Sequence, residues 1–330
     1  MKLDTLIRRI TAHFQRHAAR YGLNPETVET RYILNWGGFV NASFFIKDGQ
    51  KTLHLKLALD EDNLACLDHW MQVRELLTSR YHAPRILDWV EIPRTPFAGL
   101  LSEYIPGKPV DFQARPEVLE AVLALLPRLH NDADLAQALR GMGDTETSCA
   151  DYFLAVYIDR FDEDLLGIIN ELPPFVPLDL YDWMMSETRE LEGLVRDLPA
   201  FQHPAAAPTH GDLWASNILV TQTGDWTIID WDDLTLGDPA LDYSILLGPL
   251  WRSGTLTAEQ AANRLPPGDP ALRERFLLCL RALLLDQVID PLADWVEGQF
   301  APEHLEEVRA GKEKDHQAAL TQYRQWFGSA

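Results

Sequence analysis

Thr209-His210-Gly211-Asp212-Leu213-Trp214-Ala215-Ser216-Asn217 runs straight into Ile218-Leu219-Val220. No helix fits so polar a run; it reads as an irregular loop closed by a short strand, which can turn a carboxylate and an amide into one cavity. A second branched run, Trp226-Thr227-Ile228-Ile229, follows Gln222-Thr223-Gly224-Asp225, so the two strands are expected to pair as a hairpin. Asp230-Trp231-Asp232-Asp233 then ends the second strand. The hairpin sets Asp230 beside the loop that carries Asp212 and Asn217. Asp, Asn and Asp delivered to one polar pocket suit a hard cation such as Mg2+, which prefers oxygen ligands shared with phosphates. The His and Cys partners that zinc wants are missing. Any one of the three residues alone would read as a turn cap. Their ordered combination argues for a site.

Outward from this hairpin the chain changes character. Between residues 32 and 59, aromatic and branched runs are broken by Gly37-Gly38 and by Asp48-Gly49, the mark of an antiparallel sheet. Leu53, Leu55, Leu57 and Leu59 alternate with His54, Lys56 and Ala58, which puts Lys56 on the face away from the leucines. A helix is expected over 61–80, then strands over 86–92 and 97–105, the last ended by Pro106-Gly107. Near the N-terminus Leu3, Leu6, Ile7, Ile10 and Phe14 share a helical face that can dock on the sheet. Beyond Pro116 long helices dominate, over 117–130, 150–170, 180–198, 271–290 and 303–326. The fold class is therefore α+β, with a small antiparallel β lobe and a larger, mainly helical lobe. The boundary is expected at 105/106, between residues 1–105 with the leading helix and the sheet and residues 106–330 with the long helices. A cleft between the lobes is where the polar motifs would meet.

The run from His210 to Val220, followed by Ile229-Asp230-Trp231-Asp232-Asp233 and then by Gly237-Asp238-Pro239-Ala240-Leu241-Asp242, resembles the aminoglycoside phosphotransferase and choline kinase-like superfamily, relatives of the protein kinases. The resemblance implies a bilobal protein-kinase-like fold and transfer of the terminal phosphate of ATP, with Mg2+, to a small-molecule hydroxyl. It makes Asp212 the catalytic-loop aspartate, Asn217 a catalytic-loop residue and second metal ligand, and Asp230 the metal-binding aspartate. His210 takes an orienting role within the catalytic loop. Trp36-Gly37-Gly38-Phe39-Val40-Asn41 resembles the family's short phosphate-covering loop, although a plain hairpin also accounts for Gly37 and Gly38. Lys56 would reach the α and β phosphates; a strand lysine guarding an edge is the other reading. The family pairs this lysine with an acid of the next helix, where Glu61, Asp68 and Glu75 share a face and Asp68 is best placed. Leu101-Ser102-Glu103-Tyr104-Ile105-Pro106-Gly107 resembles the interlobe connector, with main-chain groups of Glu103 and Ile105 at the adenine edge. Asp238 can cap a helix and Asp242 supports the catalytic loop. Asp232 and Asp233 stay open between solvent, a helix cap and tuning of substrate charge.

The 330 residues carry 29 Lys and Arg against 50 Asp and Glu, a formal charge of -21. Such a balance opposes nucleic acid and anionic membrane as partners. No uninterrupted apolar run approaches the roughly 18 residues of a membrane span. Cys66, Cys149 and Cys279 are too scattered for a disulfide framework, so a reducing cytoplasm is expected. Acids and aromatics of the helical lobe, among them Asp151, Tyr157, Asp286, Asp290 and Trp295, suit a cationic amine or polyamino sugar as acceptor. Homoserine-like, choline-like and sugar acceptors are the alternatives, as is a kinase fold kept only for binding. The first and the late helices offer a homodimer face, which packing within one chain explains equally.

Overall fold

The computed structural model describes residues 2–33, 41–297 and 305–328. Gly37 and Gly38 lie outside the described residues. The chain divides into two compact units, one made of Met1–Asp144 and His210–Thr235, the other of Thr145–Thr209 and Leu236–Ala330. This division differs from the expected break after residue 105. Residues 108–109 pair with the 218–220 strand, and Arg80 forms an ion pair with Asp132, so the connector and the following helices belong with the sheet.

The first unit opens with α1 (Leu3–Arg16), which buries Leu6, Ile10 and Phe14 as their spacing predicts. Its main sheet contains β1 (Glu29–Ile33), β2 (Asn41–Lys47), β3 (Thr52–Ala58), β4 (Ile86–Glu91) and β5 (Ala98–Glu103), ordered β1-β2-β3-β5-β4. All neighbouring strands are antiparallel. Phe44, Ile46, Leu53, Leu55 and Leu57 join Ile10 and Phe14 in one core, each large side chain contributing roughly 1.5–3 kcal/mol by its burial. The period of two then turns His54 and Lys56 to the opposite face. Lys56 stands across from Ser43 on one side and Leu100 on the other. A Cβ at Gly99 would collide with the Lys56 carbonyl, so this glycine is what lets β5 close on β3 here.

Between β3 and β4 lies α2 (Glu61–Arg80), with the bounds read from the sequence. Asp60 caps it by accepting the Asn63 N–H at 2.8 Å. Leu67, Trp70, Val73 and Leu77 form its buried face. After β5 come β6 (Lys108–Pro109), α3 (Pro116–His130) and α4 (Ala133–Gly141). The expected hairpin is present as β7 (Ile218–Val220) and β8 (Trp226–Ile228), its turn closed by the Thr221 N–H on the Asp225 carbonyl at 2.8 Å. With β6 it makes a three-stranded sheet in the order β8-β7-β6.

The second unit is mainly helical, with α5 (Asp159–Ile168), α6 (Leu178–Asp197), α7 (Pro239–Arg252), α8 (Pro270–Glu297) and α9 (Leu305–Phe327). The helix α8 packs against α5, α7 and α9. The single helix expected over 150–170 is instead a short α segment, a π turn at Leu154–Ile158 and α5. Leu154, Tyr157 and Ile158 are all buried in that turn, the wider winding that a π bulge supplies. Asp238 caps α7 through the Ala240 N–H at 3.0 Å and receives the Arg275 Nε at 2.7 Å. The expected α+β class is the one observed. Among the described residues no helix is long and apolar enough to cross a membrane.

Candidate active site

His210 is fully buried. Its Nε2 lies 3.1 Å from the Ile229 carbonyl; a carbonyl only accepts, so Nε2 carries the proton. Nδ1 then accepts the Asp212 N–H at 3.2 Å. The main chain thus selects the neutral ring and its tautomer. Gly211 has a φ of +84°, and a Cβ there would lie 2.7 Å from Asp233 Cβ and O; only glycine lets the loop pass this close. Asn217 Nδ2 donates to the Asp212 carbonyl at 2.9 Å and to Asp212 Oδ2 at 2.8 Å. With its NH2 turned to Asp212, the amide oxygen of Asn217 is the atom left to meet a cation. Burial, and after it the nearby Asp230 carboxylate, raises the Asp212 carboxyl above its ordinary value, with the Asn217 hydrogen bond working the other way.

The Ile229 N–H donates to the Asn217 carbonyl at 2.8 Å, which ties the end of the hairpin to the loop that carries Asp212. Asp230 follows with φ 66° and ψ 58°, a left-handed conformation that a non-glycine residue enters only when its surroundings hold it there. Lys56 Nζ makes ion pairs with both Asp230 and Asp232. The side chains of Lys56 and Asp232 are each 12% exposed and that of Asp230 is 35% exposed, so Asp230 is the more accessible of the two acids. Burial pushes the Asp230 carboxyl up, but the Lys56 ammonium outweighs it and holds the group below the usual range. Burial wins at Asp232, whose carboxyl is raised. Asn41 Nδ2, from the first residue of β2, donates to Asp232 Oδ2 at 2.7 Å.

The model of the phosphotransferase enzyme family matches residues 32–275. The chain belongs to that family. Among solved structures this phosphotransferase is similar to the GDP complex of wild-type aminoglycoside 2'-phosphotransferase-IIIa, with a TM-score of 0.66 and 14% identity over 97% of this chain and 99% of the other. It is similar also to a choline/ethanolamine kinase family protein from Mesorhizobium loti, with a TM-score of 0.54 and 20% identity over 94% and 99% of the two chains. For the macrolide 2'-phosphotransferase from Brachybacterium faecium the TM-score is 0.51 and the identity 19%, over 93% and 97%. At such identities the likeness speaks for the protein-kinase-like fold. No curated protein matches the chain.

In the phosphotransferase, hydrogen bonds join His210, Asp212 and Asn217, and Asn217 in turn holds Ile229, the chain neighbour of the Asp230 that pairs with Lys56. Asp68 is not among them. It is exposed and accepts from Gln72 Nε2 at 2.6 Å, because the apolar face set by Leu67, Trp70, Val73 and Leu77 turns it to solvent. The Glu103 carboxylate accepts the Arg85 N–H at 2.9 Å, and the Glu103 N–H donates to the Arg85 carbonyl at 3.0 Å. The Ile105 carbonyl accepts the Gly107 N–H at 2.8 Å. Sequence reasoning missed Asn41 and the pairing of Asp232 with Lys56. Among the described residues no group of three or more His, Cys, Asp or Glu side chains forms a metal cage. An amide oxygen and a carboxylate fit Mg2+ instead as a hard cation that shares its ligands with phosphates.

Proposed function

We propose that this phosphotransferase moves the γ-phosphoryl group of ATP to a hydroxyl of a small-molecule acceptor, an aminoglycoside or another amino alcohol, in the cytoplasm. The observation that supports it best is the loop that holds Asp212 between His210 and Asn217 and is tied to the end of the hairpin carrying Asp230, which pairs with Lys56. Asp212 would orient the acceptor hydroxyl and take its proton, a task that a carboxyl raised above its ordinary value performs better than a solvated one. The Asn217 amide oxygen and the Asp230 carboxylate would hold Mg2+, which when bound neutralises charge on the transferring phosphoryl group. Lys56 would place its ammonium on the α and β phosphates. Main-chain groups of Glu103 and Ile105 in the connector would meet a base edge. The acceptor oxygen forms its bond to the γ phosphorus as the bond to the β-phosphate oxygen breaks; ADP leaves, and the hydroxyl proton passes through Asp212 to solvent.

A formal charge of -21 favours an acceptor that carries an amine. The three cysteines are unpaired, in keeping with a reducing compartment. An ATP-consumption screen with Mg2+ against aminoglycosides, choline-like amines, homoserine and sugars tests the proposal, with mass detection of the product. A phosphate-sized increment on an amine-bearing alcohol is expected. ATP binding without any modified acceptor across the panel would overturn it.

A further inference from the structure

We infer that Asp232 is the fixed partner of Lys56 and fills the positioning role that the family resemblance gives to a helix acid, on the reading above that Lys56 meets nucleotide phosphates. The helix itself offers no such partner. Glu61, Asp68 and Glu75 are all exposed on α2, and Asp68 is engaged by Gln72. Lys56 turns instead to the segment after β8, where it pairs with Asp230 and Asp232. These two carboxylates are not equivalent. Asp232 is as covered as Lys56, at 12% each, and its Oδ2 is also clamped by Asn41 from the start of β2, the strand that pairs with β3. The lysine and the residue that anchors its partner therefore sit on adjacent strands of one sheet. Asp230 is the more open acid, its side chain 35% exposed.

The arrangement solves a problem of two demands on one carboxylate. If Asp230 were the sole anion beside Lys56, drawing it to a divalent cation would leave a largely buried ammonium with no partner, which is costly and frees the side chain to reorient. With Asp232 fixed by Asn41, one carboxylate can serve the cation while the other keeps the ammonium aimed.

Two measurements on D232N, K56M and the double variant test this. In the protein with Lys56, D232N should raise the KM for ATP and the Kd for MgADP by about tenfold, or about 1.4 kcal/mol, while D232E restores at least part of the loss. In the K56M protein D232N should add less than about twofold, with half-saturating Mg2+ unchanged, as expected when one residue acts through another. D68N and E75Q should leave the KM within about twofold. A KM raised as much by D68N or E75Q would return the role to the helix, and a Mg2+ requirement shifted by D232N in the K56M protein would make Asp232 a metal ligand; either overturns the inference. The second measurement is the thermal midpoint without nucleotide: D232N should raise it in K56M, where the acids have lost their cation, and not in the protein with Lys56. Additive midpoints in a parent that binds MgADP overturn the Asp232 inference alone. A parent that binds no MgADP overturns the phosphotransfer reading beneath it.

Discussion

Asp212 is held through its N–H by His210, through its carbonyl by Asn217, and through Oδ2 by Asn217 again. Asn at this position keeps the shape and can keep those bonds, but it cannot take a proton. D212N is therefore expected to lower turnover by about 10²–10⁴-fold with a thermal midpoint within a few degrees of the parent, checked by acceptor kinetics beside a melting curve. His54 gives a pH prediction. Burial, and next the Lys56 ammonium on the same face of β3, lowers its imidazole from 6.5 to about 4. The unfolded chain therefore binds the proton first, and stability falls as pH drops from about 6.5 to about 4. Thermal melts across that window should show a shallower decline for H54Q than for the parent; equal slopes would remove His54 from the acid response. Asp212, Asn217 and Asp230 were legible because loop, hairpin and acids are close in sequence. The partner of Lys56 was not, since that ion pair spans 174 residues and no local pattern encodes it.

The element α2 shows what periodicity does and does not give. Its span, 61–80, was legible in the sequence. A seven-residue spacing correctly grouped Glu61, Asp68 and Glu75 on one face, yet it says nothing of which way that face looks. Leu67, Trp70, Val73 and Leu77 carry that information, and they turn the acids outward. The π turn at Leu154–Ile158 was illegible for a different reason: an apolar run keeps its helical appearance when one turn widens by a residue. In the second unit, Arg275 and Asp238 form an ion pair with side chains only 7% and 4% exposed, and Asp238 also caps α7. Removing one partner leaves the other charged and covered. R275M is expected to destabilise the protein by about 3–5 kcal/mol, read from urea unfolding.

For the molecule as a whole, charge is the property that composition alone fixes. With a formal charge of -21, the KM for a cationic acceptor should rise between about 0.05 and 0.5 M salt, as screening lengths shorten. A neutral acceptor should show little change in the same kinetics. The lobe classes were legible from the shift between strand and helix patterns, but the division of the chain was not. Residues 210–235 complete a unit begun at the N-terminus, with 145–209 belonging elsewhere. During synthesis this order imposes a delay. Lys56 leaves the ribosome 174 residues before Asp230, which at about 5–20 residues per second is a wait of roughly 10–35 s. Through that interval the nascent sheet must carry its ammonium in water, so this site cannot close before its own anions arrive.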